Sequence, residues 1–132
     1  MSSEVLRIAA TERSPEIELD VERGLLRLRG ESYPEDASSV FAPVFVALQA
    51  ALANPAPTGL EAEFALIYFN SSSAKALMNM FLLLERAAAS GTPVRVRWLY
   101  AAEDETMREF GEDFSEDLSH VVFDLVATGV ED

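Results

Sequence analysis

The sequence predicts a single α/β domain built on a mixed β-sheet, and three observations lead there. Residues 16–29 alternate apolar and charged side chains on both sides of a glycine turn, as an antiparallel hairpin does. Phe64-Ala65-Leu66-Ile67-Tyr68-Phe69 is apolar on both faces, as expected of a central strand with helices above and below. After the hairpin, helix-period and strand-period segments alternate, which implies parallel crossovers. The 132 residues are read as one domain, 1–132, that buries about two-thirds of its unfolded surface. No internal repeat, low-complexity segment or dividing linker interrupts it.

Taking the elements in order, Leu6 and Ile8 alternate with polar or small neighbours as a weak first strand. After Pro15, Ile17, Leu19 and Val21 point one way and Glu16, Glu18 and Asp20 the other. Glu22-Arg23-Gly24 supplies the turn, and Leu26 and Leu28 alternate with Arg27 and Arg29. This register sets Glu18 opposite Arg27 and Glu16 opposite Arg29, pairs worth about 0.2–1 kcal/mol each. A slip by one residue would turn the leucines outward. Gly30 to Asp36 reads as a loop. Val40, Phe41, Val44, Phe45, Leu48 and Leu52 recur at helical spacing, with Ser38 or Ser39 as the expected cap and Pro43 near the first turn.

Asn54-Pro55-Ala56-Pro57-Thr58-Gly59 stops that helix ahead of the apolar strand. A second helix runs from about Ser72 to Ala89 and is halted by Ser90-Gly91 and Pro93. Val94, Val96, Trp98 and Tyr100 form the next strand, Glu103 to Leu118 an acidic helix with Met107, Phe110 and Phe114 as its core stripe. Val121 to Val126 is the last strand, and Thr128 to Asp132 reads as a frayed tail.

Composition narrows the function. Asp and Glu total 23 against 10 Lys and Arg, a net charge of −13 that repels phosphate backbones and anionic lipid, so neither nucleic acid nor membrane is an expected partner. There is no cysteine, hence no disulfide and no thiolate metal site. The start, Met1 to Arg7, lacks the apolar stretch of a secretory signal, and no window reaches about eighteen apolar residues, which places the protein in the cytoplasm. His120 is the sole histidine, expected to face solvent between a helix and a strand. No nucleophile elbow, Walker loop or dinucleotide turn occurs, so no enzyme, cofactor or metal is expected.

Three segments could carry function. Between Glu103 and Asp117 stand eight carboxylates and one arginine, Arg108, either a solvated face or a surface that steers a basic partner. In the second helix, Leu77, Phe81, Leu84 and Ala88 make a core stripe. Met78, Met80, Leu82 and Leu83 widen it, to be covered by neighbouring helices or by a partner. Asn70-Ser71-Ser72-Ser73-Ala74-Lys75 links the buried strand to that helix, so its amides face outward at a positive helix end. Lys75, the only lysine, sits where the macrodipole disfavours a cation and four residues after Ser71. A phosphoryl group there would meet both amides and Lys75. Alternatively, Ser71 to Ser73 are caps and Lys75 an incidental surface cation.

Ser14-Pro15-Glu16-Ile17, Gly30-Glu31-Ser32-Tyr33-Pro34-Glu35-Asp36, Tyr68-Phe69-Asn70-Ser71-Ser72-Ser73-Ala74-Lys75, Val96-Arg97-Trp98-Leu99-Tyr100, Asp104-Glu105-Thr106-Met107 and Gly111-Glu112-Asp113-Phe114 follow one another in order. In this the chain resembles the SiaC-like regulatory phosphoproteins over nearly its whole length. The resemblance implies a fold like that of STAS-domain anti-sigma-factor antagonists and a partner-switching role in cyclic di-GMP signalling. It further implies a Ser/Thr protein kinase that phosphorylates the loop after the central strand and a metal-dependent phosphatase that reverses it. The unmodified form would bind and activate an effector, a diguanylate cyclase. The family's acceptor, usually a threonine directly after the asparagine, maps onto Ser71, with Ser72 as the alternative. Asn70, Ser72, Ser73, Lys75, Tyr33, Pro34 and Glu35 are expected to accompany it as phosphate- or partner-binding residues. Two other readings are a small-anion or ligand-binding module at Asn70 to Lys75 and a constitutive interaction scaffold.

Overall fold

The structure, a computed structural model, describes residues 5–129. Its elements are β1 (Val5–Ile8), β2 (Glu16–Asp20), β3 (Leu25–Ser32), α1 (Ala37–Ala53), β4 (Leu60–Phe69), α2 (Ser71–Ala89), β5 (Val94–Ala101), α3 (Glu105–Glu116) and β6 (Val122–Thr128). The expected tail is corrected at Thr128, which closes β6, while residues 130–132 lie outside the described residues, as do 1–4.

The six strands lie in chain order across one mixed sheet, antiparallel from β1 to β3 and parallel from β3 to β6. Right-handed crossovers between successive parallel neighbours put all three helices on the same face. This overturns the reading of Phe64–Phe69 as a strand covered on both sides. Leu60, Ala62, Phe64 and Leu66 are buried against the helices, whereas Ile67 is 65% and Tyr68 51% exposed. The pairing with β3 slips between Gly30 and Glu31, so Ile67 is an extra residue in β4 and Tyr68 lies beside Glu31.

On the uncovered face, one row of facing residues crosses all six strands: Arg7, Glu18, Arg27, Glu63, Arg97 and Asp124. The predicted hairpin register holds, with Glu18 opposite Arg27 and Glu16 opposite Arg29. The ion pairs within it differ from expectation, since Glu18 meets Arg7 at 3.5 Å while Glu63 serves Arg27 at 3.6 Å and Arg97 at 3.3 Å. Each inner strand has two neighbours, and the arginine of β3 leans toward the one on its parallel side. Val21, expected to extend β2 inward, falls in the turn, where its carbonyl accepts from the Gly24 amide.

The core lies between sheet and helices. Leu19, Leu26, Leu28, Phe41, Leu48, Phe64, Leu77, Phe81 and Trp98 are fully or almost fully buried there. Trp98 is its hub, packed on Phe64, Phe81, Phe114 and Phe123, and its indole N–H donates to the Met107 carbonyl at 3.0 Å, pinning α3 to the sheet.

Three helix expectations change. The first helix is capped by Asp36, not by Ser38 or Ser39; its carboxylate accepts from the Ser39 amide at 3.2 Å and the Ser39 hydroxyl at 2.8 Å. Pro43 therefore sits inside α1, and it is tolerated because it and Ser39, whose carbonyl loses a donor, are both exposed to water. In α2, Met80 is fully buried and Met78 and Leu83 partly so, which leaves Leu82 as the exposed remnant of the wide apolar surface. The acidic helix is shorter than Glu103–Leu118, and its cap is Asp104. Phe110 is half on the surface, resting on Phe69 with ring centroids 4.7 Å apart, so the stripe reduces to Met107 and Phe114.

Gly111 of α3 lies flat on the sheet, and a Cβ there would stand 2.5 Å from both Leu125 Cδ2 and Trp98 Cδ1. Alanine is favoured in a helix by about 1 kcal/mol, yet overpacking a rigid tryptophan costs about 1–3 kcal/mol. We expect Gly111→Ala to lower stability in urea unfolding; a stabilised variant would contradict this packing.

Glu85 of α2 ties the helix to the start of β6. It accepts from the amides of His120 and Val121, at 3.0 and 3.1 Å, from the Ser119 hydroxyl at 3.1 Å and from the His120 ring at 2.8 Å. Burial pushes its carboxyl up, but the bonds from His120, Val121 and Ser119 outweigh that and hold it at about 2. A depressed carboxyl contributes stability above its unfolded value, lost as pH falls from about 4.5 toward about 2. Glu85→Gln is expected to cost about 1–3 kcal/mol at pH 7 and to flatten acid unfolding across that window, both measurable by denaturant titration.

Candidate functional site

The parallel strands β3 and β4 end side by side, and the loops leaving them meet at one edge of the sheet. The Asn70 amide donates to the Ser32 carbonyl at 3.0 Å, and the Asn70 side-chain amide reaches the Pro34 carbonyl at 3.5 Å. The fold thus brings Tyr33, Pro34 and Glu35 alongside the Asn70–Lys75 segment, although 36 residues separate Pro34 from Asn70.

Asn70 is the cap of α2. Its side-chain oxygen accepts from the Ser73 amide at 2.9 Å and the Ser72 hydroxyl at 3.2 Å, and its carbonyl opens the helix by accepting from Ala74. None of the three serines is therefore the N-cap, and each occupies a different environment. Ser71, the first helical residue, is exposed and has no side-chain hydrogen bond among the described residues. Ser72 is exposed but engaged by Asn70.

Ser73 is fully buried, its hydroxyl 2.7 Å from that of Ser32, itself fully buried. This corrects its assignment as a phosphate- or partner-binding residue, because it is out of contact with solvent and its hydrogen bond is spent on β3. Lys75 is exposed, one turn after Ser71. The amides of Ser71 and Ser72 have no backbone acceptor among the described residues, so they and the helix end favour an anion beside Ser71.

Around this point, Pro34 is buried under the loop, Tyr33 is half-buried and Glu35 is exposed. Tyr33 stacks edge-on against Tyr68, 5.9 Å between centroids, and its amide donates to the Arg13 carbonyl at 2.7 Å. Arg13 in turn lies 3.7 Å from Glu35. Sequence reasoning missed Ser32, Arg13, Ile67 and Tyr68 here. The first could have been suspected as a serine in an otherwise regular strand; the exposure of the last two depends on a bulge that no local pattern announces. Among the described residues no cluster of acids and histidine could hold a metal ion, and no helix is long and apolar enough to cross a membrane.

The family model described as SiaC family regulatory phosphoprotein matches residues 8–128. The chain belongs to the SiaC family. An uncharacterized protein of Pseudomonas aeruginosa strain UCBPP-PA14 is 39% identical over 114 residues, covering 86% of this chain and 90% of that protein. The crystal structure of apo-SiaC from Pseudomonas aeruginosa is similar with a TM-score of 0.85 at 37% identity, over 96% of this chain and all of that one. Another similar chain, at TM-score 0.87 and 38% identity over 92% of this chain and 98% of its own, comes from the structure of diguanylate cyclase SiaD in complex with its activator SiaC from Pseudomonas aeruginosa. The mixed α/β sheet with three helices is thus the SiaC fold.

The Ser32–Ser73 contact holds the start of α2 against β3, and its energetics can be read by a double-mutant cycle. We expect Ser73→Ala alone to cost about 1–3 kcal/mol, because it strands the buried Ser32 hydroxyl. Removing both hydroxyls should recover most of that loss. Additive losses in urea unfolding would show that the two hydroxyls are not coupled.

Proposed function

We propose that this SiaC-family chain is a non-catalytic adaptor whose binding to a diguanylate cyclase is switched by phosphorylation of Ser71. The observation that carries this reading is the position of Ser71: a solvent-exposed hydroxyl on the first residue of a long helix, beside Lys75 and amides that have no backbone acceptor among the described residues. The complex of a related SiaC with the cyclase SiaD supports the choice of effector. Ser71 is preferred over Ser72 because the Ser72 hydroxyl is held by the Asn70 cap.

A phosphoryl group adds a charge of about −1.5 to −2. On a chain already at −13 this changes the overall field little, so the switch works locally. In the free protein, the helix end, Lys75 and water stabilise the dianion. Inside an interface it would be buried without a partner charge, at a cost of several kcal/mol, and each ~1.4 kcal/mol is tenfold in affinity. A Ser/Thr kinase adds the group and a metal-dependent phosphatase removes it, both acting on an accessible helix end. An anion-binding module or a constitutive scaffold would leave effector binding indifferent to this modification.

Treatment with the kinase should place phosphate on Ser71 in a mass spectrum, and Ser71→Ala should stay unmodified while keeping wild-type affinity for the cyclase. Ser71→Asp should weaken that affinity at least tenfold. If Ser71→Asp binds as tightly as wild type in a titration, the switch does not operate through this residue.

A further inference from the structure

We infer that the cyclase docks on the apolar corner formed by Ile67, Tyr68 and Tyr33, with Ile67 and Tyr68 as the anchors. This rests on the proposed switch and identifies the surface that it controls. Ile67 and Tyr68 are 65% and 51% exposed although they lie near the end of a central strand, because the bulge in β4 turns both away from the helices. Tyr33 braces Tyr68 edge-on and shares its loop with Pro34, the acceptor of the Asn70 side chain. The corner is therefore continuous with Ser71, three residues beyond Tyr68.

The rest of the uncovered sheet face is a poorer docking surface. Its central row of arginines and carboxylates alternates in sign, with Glu63 between Arg27 and Arg97 and Glu18 beside Arg7, so a partner there would have to desolvate charges that already neutralise one another. Val46 of α1 is as exposed as Ile67, at 67%, but its helical neighbours Ala42, Pro43, Gln49 and Ala50 make a surface without aromatic anchors.

Charge specifies the occupant further. Glu31, the strand neighbour of Tyr68, is exposed at this corner, as is Glu35, whose carboxylate lies beside Arg13. A complementary segment of the cyclase carries aliphatic or aromatic side chains onto Ile67 and Tyr68, with a basic residue on the flank that meets Glu31. Opposite Ser71 it carries no arginine or lysine, since a cation there would make phosphate strengthen binding instead of weakening it.

The test is a titration of the host's full-length diguanylate cyclase with wild-type chain and with Ile67→Ala, Tyr68→Ala, Val46→Ala and Ser71→Asp, each checked for an unchanged urea midpoint. Ile67→Ala and Tyr68→Ala should each weaken binding at least tenfold, whereas Val46→Ala stays within twofold of wild type. Should the Ile67 and Tyr68 variants bind within twofold of wild type while Ser71→Asp loses affinity, the docking surface is elsewhere and the switch stands. Should they lose affinity while Ser71→Asp does not, the surface stands and the switch fails. Equal losses in Val46→Ala would overturn the assignment of this corner.

Discussion

All three helices of this protein cross over on the same side, and the rest of the structure follows from that constraint. A sheet with one dry face must concentrate its core there, and it does so around Trp98, whose ring touches aromatic side chains from two helices and two strands. The wet face has no helix to bury it, so a row of alternating charges surfaces its middle, and exposed apolar side chains such as Ile67 and Tyr68 stand toward the strand ends. A one-sided sheet also leaves the strand ends open to view. The loops at the carboxyl edge of β3 and β4 are built from contacts that fix the backbone while leaving selected side chains outward.

The run of three serines shows how finely this division is made. Consecutive residues of one type perform three tasks: Ser71 faces water, Ser72 leans on the cap, and Ser73 joins β3 through a buried hydroxyl pair. Helical rotation of about 100° per residue separates these environments within one turn. The start of α2 is held by Asn70 and Ser73, so the position of Ser71 is set by its neighbours and its own hydroxyl faces water.

Much of the fold was legible in the sequence because its signals are local. The hairpin register followed from the alternation of Ile17, Leu19, Leu26 and Leu28, and the order of helices and strands from their periods. Where the reading went astray, the cause was non-local. Glu63 captures two arginines because strands distant in sequence flank it, which no hairpin argument could include. Phe64–Phe69 looked covered on both faces because its last apolar residues belong to a bulge. Pro43 suggested a later helix start, yet water at an exposed carbonyl makes an interior proline tolerable. At the candidate site, the Asn70–Lys75 segment stood out by composition, but the burial of Ser73 required knowledge of Ser32 across the fold.

Lys75 is the only lysine in the chain, and no cysteine competes with it for reactive reagents. Apart from the α-amino group, its ε-amine is the single primary amine, exposed one helical turn from Ser71. Acylating dyes consequently find one side-chain amine, at this spot, without any engineered handle. The molecule carries its own attachment point for a fluorescent reporter, placed where changes in the helix end's surroundings would be felt first.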